Sequence, residues 1–472
     1  MPTILAQARI TEQINTNFSR VETQFAMPQP QYRVYDLSWD GRGVARDPSG
    51  RVVMINGALP GDTVAADIQP TGPKGLLAGK ITEIIAPSPD RIPHPCTYHH
   101  AFCLTTPLGA WRYETALNWK RKHLFETLRR VGEIQSPNVL DPIASPQKWG
   151  YRDRLELHLY SDKGRWSLGY CTADGYAAVR DCLLGSGTLR EGLTSLVHTL
   201  DSLSVFPKAL PTESDRCFST HAVRMLLRDN GRGGSVAVLF TQNPGKIDLI
   251  VVAQALADAK FMGWQIRHAA NPKSRFFFSQ IIDRNGDYQI THHIADSMEL
   301  HADPTVFSQV NRPAAALMVD QVMEYLPPSV NLLDLYGGYG AFALAFAARQ
   351  GGRATVLESS VMAVKAGQAF AQEHAFPVEF ICTDLAKAGL PVDDLKKFDA
   401  VILDPPRNGA HPEIIQRLNS EGPAKLLYLS CHPATLARDL KQLKSYRASA
   451  FIPIDLFPQT PDLEALAVLD RQ

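Results

Sequence analysis

The sequence predicts a multi-domain α/β protein whose C-terminal part is a doubly wound, mostly parallel sheet. Three observations predict it. From Val306 onward, short apolar runs alternate with stretches of helical period, the signature of repeated βαβ units. Residues 32–91 instead alternate brief β-rich runs with glycine and proline turns. At 472 residues the chain is also too long for one ordinary domain.

The elements follow in order. Residues 1–31 contain Gln, Thr and Asn, lack the apolar core of a signal peptide and read as a flexible lead-in. Residues 32–91 read as a small β-barrel, with strands at Arg51–Ile55, Thr63–Ile68 and Gly79–Ile85 between the turns Trp39-Asp40-Gly41-Arg42-Gly43, Asp47-Pro48-Ser49-Gly50 and Pro60-Gly61-Asp62. Residues 92–303 read as a central α+β domain. It opens with an amphipathic helix from about Tyr113 to Val131, and Lys120 and its basic neighbours are read as a solvated or phosphate-facing side. Strands follow at Arg154–Tyr160, Trp166–Tyr170, Ala178–Arg180, His221–Arg228 and Ser235–Thr241, and Asn271–Asp303 reads as irregular. Residues 304–472 carry strands near Asn331–Leu335, Ala354–Glu358, Val378–Cys382, Ala400–Leu403, Lys425–Leu429, Ala448–Pro453 and Ala465–Leu469. Helical patterns at Ala341–Arg349 and Val361–Ala375 fill the intervals.

Composition narrows the partners. Forty-eight basic residues balance 48 acidic ones, so any nucleic-acid contact falls to a local basic face. No uninterrupted apolar run is long enough to span a bilayer. Seven cysteines without an export signal argue for a reducing cytoplasm rather than a disulfide framework.

The chemistry gathers at strand ends. Leu427-Tyr428-Leu429-Ser430-Cys431-His432-Pro433 delivers a thiol to the carboxyl end of a strand and then opens a helix read over Pro433–Leu443. A helix N-terminus favours a thiolate, so Cys431 is a candidate nucleophile. Leu332-Leu333-Asp334-Leu335-Tyr336-Gly337-Gly338-Tyr339-Gly340 runs a strand into a glycine turn against which a ligand can lie. Glu358, Asp384 and Asp404-Pro405-Pro406 end the next three strands, the pattern of a Rossmann-like S-adenosylmethionine methyltransferase domain.

On these residues the chain resembles the RNA uracil-C5 methyltransferases, specifically the bacterial branch that carries a TRAM domain and is related to the 23S rRNA enzymes. The barrel is similar to TRAM, an OB-like RNA-binding module, through Gly41-Arg42-Gly43-Val44-Ala45 and Ala58-Leu59-Pro60-Gly61-Asp62. The other motifs are Phe307-Ser308-Gln309-Val310-Asn311, Asp334 to Gly340, Asp404-Pro405-Pro406-Arg407-Asn408-Gly409, Ser430-Cys431-His432-Pro433-Ala434-Thr435 and Phe457-Pro458-Gln459-Thr460-Pro461-Asp462-Leu463-Glu464. The resemblance implies cofactor binding by Gln309, Tyr336, Gly338, Gly340, Glu358, Asp384 and Asp404, with Cys431 as nucleophile and Glu464 as base. It implies an RNA partner, rRNA before tRNA, and a cytoplasmic monomer. The chemistry suits those residue types, because thiolate addition at C6 makes C5 nucleophilic and a base must then remove the C5 proton.

Three positions depart from the family pattern. The family's four-cysteine iron–sulfur site aligns with Cys96, Cys103 and Cys182, but Thr106 takes the fourth place, so no stable four-iron cluster is expected. His99 and His100 read as loop histidines and Cys171 as a spare thiol. Gly337 replaces a frequent cysteine and reads as harmless. Asp462 replaces a histidine, and as a second carboxylate it either raises the pKa of Glu464 or faces solvent. Two other readings stay open. Asp404-Pro405-Pro406 also occurs in exocyclic-amine methyltransferases, although Arg407 stands where those carry an aromatic residue, and the altered cysteine set suits a non-catalytic RNA-binding factor.

Overall fold

The computed structural model describes residues 30–71, 75–99, 103–172, 175–204, 210–212, 223–269, 279–295, 298–328 and 330–472. They form two compact units: the described residues up to Ser38 with Arg42–Pro89, and Trp39–Gly41 with Asp90–Gln472. The lead-in read over residues 1–31 lies almost wholly outside the described residues.

The first unit is a six-stranded sheet of β1 (Gln31–Arg33), β2 (Asp36–Leu37), β3 (Gly43–Arg46), β4 (Val52–Asn56), β5 (Thr63–Thr71) and β6 (Leu76–Ala86). Its order is β1-β5-β6-β4-β3-β2, antiparallel except for β4 beside β6. Alternate residues such as Val53, Ile55, Val64 and Ala66 face one core, as a period of two requires. The turn before β5 is fixed by buried Asp62, whose carboxylate accepts the Leu59 N–H at 2.7 Å and the Ser88 N–H at 2.8 Å.

The second unit holds a central sheet of β7 (Arg154–Asp162), β8 (Arg165–Thr172), β9 (Gly175–Ala178), β10 (Val223–Asp229), β11 (Ser235–Thr241), β12 (Gly263–Ala269) and β13 (Ser279–Gly286), in the order β13-β12-β11-β10-β7-β8-β9. Helices Gly187–Ser202 and Leu249–Asp258 share a core with it. A hairpin of β14 (Ile290–Ala295) and β15 (Met298–Ala302) follows. Much of Asn271–Asp303 is therefore strand rather than irregular. The apolar period was hidden there because β13 is an exposed sheet edge and β14 carries the polar run Thr291-His292-His293.

The third sheet comprises β16 (Asn331–Leu335), β17 (Arg353–Glu358), β18 (Val378–Cys382), β19 (Ala400–Leu403), β20 (Lys425–Ser430), β21 (Tyr446–Ile454) and β22 (Glu464–Arg471). Its order is β18-β17-β16-β19-β20-β22-β21, with the first five parallel and β22 antiparallel to both neighbours. The strand order reverses between β16 and β19, so a crevice opens beyond their carboxyl ends, where α/β sheets bind ligands. Apolar side chains such as Leu333, Val401, Leu426 and Ala467 pack one face, and Leu332, Ile402, Leu427 and Val468 the other. Among the described residues, no helix is long and apolar enough to cross a membrane.

Candidate active site

Glycine conformations build the floor of the crevice. Gly338 (φ 60°) and Gly340 (φ 83°) are left-handed, and Gly340 starts the helix Ala341–Gln350. A Cβ on Gly340 would lie 2.7 Å from the Phe380 ring, whereas one on Gly338 would meet nothing. Tyr336 is also left-handed (φ 63°), which costs a non-glycine residue about 1 kcal/mol, and its hydroxyl accepts the His411 N–H at 3.3 Å. From behind, His292 of β14 stacks on Tyr339 with ring centroids 4.5 Å apart. Gly337 is not a neutral position, because a Cβ there would fall 2.7 Å from Val356 and 2.8 Å from the Asp334 carboxyl carbon.

The acids around this turn differ in what they can do. Glu358 braces the turn: its carboxylate accepts the Gly338 N–H at 3.1 Å and the Ser360 N–H at 2.6 Å. Asp384 caps the short helix Leu385–Ala388, and its pairing with Lys387 at 2.9 Å holds the carboxyl below its usual range. Asp404 follows β19, and burial pushes its carboxyl up to about 7. Asp334 is fully buried on β16, and neither carboxylate oxygen has a hydrogen-bond partner. Burial, and then the nearby Asp404, push it up to about 8. Sequence reasoning treated Asp334 only as part of a motif, although an acid inside the run Leu332-Leu333-Asp334-Leu335 was the available signal.

Gln309 sits half-buried in a loop that the central domain fixes. The Arg228 guanidinium, buried at the end of β10, donates to the carbonyls of Pro304 (3.0 Å) and Val306 (3.2 Å) and to the Ser308 hydroxyl (2.7 Å). Asn311 caps the helix Arg312–Tyr325, and its amide donates to Ser145 Oγ and the Leu456 carbonyl, each at 3.0 Å.

Cys431 and Glu464 come from neighbouring strands, just after β20 and at the start of β22. Ser430 pairs with Ala465 across the ladder, which sets both at the same end of the sheet. Burial, and then the Glu464 and Asp404 carboxyls, push the Cys431 thiol up to about 11, with Arg407 opposing them. This corrects the expected thiolate at a helix N-terminus. The helix covers only Pro433–Leu440, Pro433 has no N–H, and the Thr435 N–H is taken by the His432 ring at 3.3 Å. Glu464 is 2 % exposed, with Oε1 unpartnered, and burial followed by Asp404 pushes its carboxyl well above the usual range. Asp462 pairs with Arg407 at 2.9 Å rather than only facing solvent.

The loop leading to Glu464 is bolted from the central domain. Lys120 lies 1 % exposed, so it is not part of a solvated face. Its ammonium donates to Asp455 at 2.6 Å and to the Phe457 carbonyl at 3.0 Å. Tyr113 donates to the same Asp455 at 2.8 Å. Such a pair is costly to break from one side, because the remaining charge stays buried.

Cys96, Cys103 and Cys182 do lie near one another. Burial and then these neighbouring thiols raise the Cys96 thiol. Thr106 is buried, with His94 Nε2 at 3.1 Å from its hydroxyl, so the fourth position holds no thiolate and its oxygen is engaged. Among the described residues, no group of three or more His, Cys, Asp or Glu is placed to hold a metal ion. These residues do not fit a four-thiolate cluster. Protein purified without oxygen is expected to carry no stoichiometric iron or sulfide; about four irons per chain, lost on Cys103→Ser, would show otherwise. His99 stacks on His94 at 3.8 Å, and His100 lies outside the described residues. Cys171 lies half-buried on β8, opposite Tyr176 across the ladder.

Comparison with known proteins bears on both units. The family described as tRNA (Uracil-5-)-methyltransferase matches residues 289–472, and the TRAM domain matches residues 33–81. An uncharacterized RNA methyltransferase of Gloeobacter violaceus is 30% identical over 92% of this chain and 95% of its own. The chain belongs to the RNA uracil-C5 methyltransferase family. As a member of that family it is an S-adenosylmethionine-dependent RNA methyltransferase acting on uracil C5, which sets aside the exocyclic-amine and non-catalytic readings. The 23S rRNA (uracil(1939)-C(5))-methyltransferase of Dichelobacter nodosus is 29% identical over 94% of this chain and 99% of its own. In fold, the chain matches the Pyrococcus abyssi tRNA (uracil-54, C5)-methyltransferase, solved with S-adenosyl-L-homocysteine, at a TM-score of 0.72 and 24% identity. That match covers 93% of this chain and all of the other. The cofactor suits the uracil-C5 methyltransferase crevice described above. Asp334 is a buried carboxyl whose unpartnered oxygens a cationic ligand would satisfy, burial raises the nearby Asp404, and the open Gly338 lets a ligand approach the backbone.

Proposed function

We propose that the protein methylates C5 of a uridine in 23S ribosomal RNA, working as a cytoplasmic monomer, with Cys431 as nucleophile and Glu464 as base. The observation that carries the roles is the pairing of β20 with β22, which brings a thiol and a buried carboxyl to one end of the sheet beside Arg407. The 23S target follows the relatives from Dichelobacter nodosus and Alkalilimnicola ehrlichii, which match along nearly their whole lengths. Gln309, Tyr336, Gly338, Gly340, Glu358, Asp384 and Asp404 would hold the cofactor, which supplies a methyl group on a sulfonium.

The chain's own groups then divide the work. Cys431 Sγ, once ionised, adds to uracil C6, and the C5–C6 π electrons move into an enolate at O4. Arg407, a cation beside the thiol, favours its ionised form. After C5 has taken the methyl group, Glu464 accepts the C5 proton. The returning electron pair restores the double bond and expels the thiolate. The target base must leave its stack to enter.

Both groups must lose protons, and both hold them more tightly than usual. The rate of the chemical step is therefore expected to climb between pH 7 and 9 in single-turnover assays; a flat or falling profile would contradict these roles. The substrate is tested by mapping 5-methyluridine in 23S rRNA and tRNA from a deletion strain and its complemented parent. Loss confined to tRNA would overturn the ribosomal reading.

A further inference from the structure

Arg407 and Asp462 form an ion pair that the fold itself does not need. The side chains are 59% and 40% exposed, and such surface pairs contribute about 0–1 kcal/mol or less to stability. Their backbones, in contrast, are fixed. The Arg407 carbonyl accepts the Thr435 hydroxyl at 3.1 Å. The Asp462 N–H donates to Thr460 Oγ at 3.2 Å, and that hydroxyl donates to the Phe457 carbonyl at 2.9 Å. A long exposed guanidinium with no partner would sample many rotamers. Here the Asp462 carboxylate, 2.9 Å away, selects one, and in it the guanidinium is within hydrogen-bonding reach of Cys431.

We propose that Asp462 is a positioning residue, which holds the Arg407 guanidinium against the Cys431 thiol and thereby favours its thiolate. The proposal rests on the reading of Cys431 as nucleophile. The charged groups facing the thiol are few. Glu464 and Asp404 oppose ionisation and Arg407 favours it, while His432 adjoins, itself influenced by Arg407, Asp462 and Arg438. Glu464 also faces the thiol, but it is buried and its Oε1 has no hydrogen-bond partner. Asp462 is the carboxylate that pairs with Arg407, at 2.9 Å.

The test follows alkylation of Cys431 by iodoacetamide in the full-length protein without RNA, between pH 7 and 10, with peptide mass spectrometry resolving each thiol. Cys382, which is exposed, serves as the internal reference. Asp462→Asn is expected to slow Cys431 alkylation about tenfold at pH 8, the effect of about one unit in thiol pKa, with Cys382 unchanged. Asp462→Glu restores most of the rate. Arg407→Met shows the same loss, and adding Asp462→Asn to it costs nothing more, since both act through one guanidinium. An equal or faster rate in Asp462→Asn, or losses that add in the double variant, would overturn the proposal. The readout is thiol chemistry in the free protein, so its failure leaves the nucleophile to be judged separately, by adduct formation with 5-fluorouridine RNA.

Discussion

Cys431→Ala is expected to lower turnover by roughly four orders of magnitude, the scale seen when a covalent nucleophile is removed, while leaving cofactor affinity within about twofold. In the proposed mechanism the thiol reacts with uracil rather than with the cofactor, so the variant keeps the glycine turn and its acids. Single-turnover assays and calorimetry measure the two quantities side by side. RNA carrying 5-fluorouridine should trap the parent protein as an adduct on Cys431, since fluorine replaces the proton that Glu464 removes. Glu464→Gln should complete methyl transfer but accumulate a protein–RNA adduct, because expulsion of the thiol waits on that proton. Normal turnover by Cys431→Ala, or an adduct mapped to another residue, would remove the covalent assignment.

Asp334→Asn is expected to stabilise the free protein at alkaline pH and to weaken cofactor binding at least about tenfold. The Asp334 carboxyl is raised to about 8 in the folded state, against about 3.9 in an unfolded chain. Between those values the folded state binds the extra proton, so its advantage is present below pH 4 and is lost as pH rises towards 8. The full swing is at most about 6 kcal/mol, and an amide, which cannot ionise, escapes it. The gain in melting temperature over the parent should therefore be small at pH 5 and largest above pH 8. Cofactor affinity, measured by calorimetry, should fall because a carboxylate suited to a cationic ligand is gone. A variant less stable than its parent at pH 9 would refute the reading of Asp334 as a strained, ligand-awaiting acid.

Much of the third sheet was legible in the sequence. Its interior parallel strands are covered on both faces and read as plain apolar runs, so Asn331–Leu335 and Ala400–Leu403 were placed to the residue. Site residues at strand ends were legible for the same reason, because Glu358 and Asp404 interrupt or end such runs. What was hidden depends on contacts distant in sequence. Lys120 reads as one more cation on a basic helix until Asp455 arrives from beyond β21. The Cys431 thiol looked favoured by a helix, whereas its own burial and two carboxyls, Glu464 at the start of β22 and Asp404 after β19, outweigh that effect. The hairpin β14–β15 and its His292 were missed because polar side chains masked the strand period.

The insertion of β22 between β20 and β21 has a consequence for how the protein is made. The strand that carries Glu464 is the last of its sheet to be synthesised, yet it fills an interior place. On a translating ribosome, β20 therefore emerges with its thiol while the neighbouring slot is still empty. Until residues 464–471 clear the exit tunnel, β21 has no strand through which to join the sheet, and the carboxyl opposite Cys431 does not exist. A nascent chain can thus present the proposed nucleophile without its proposed base, and the pair is complete only once β22 has taken its place. For an enzyme whose proposed substrate is ribosomal RNA, that ordering delays activity until β22 has left the exit tunnel.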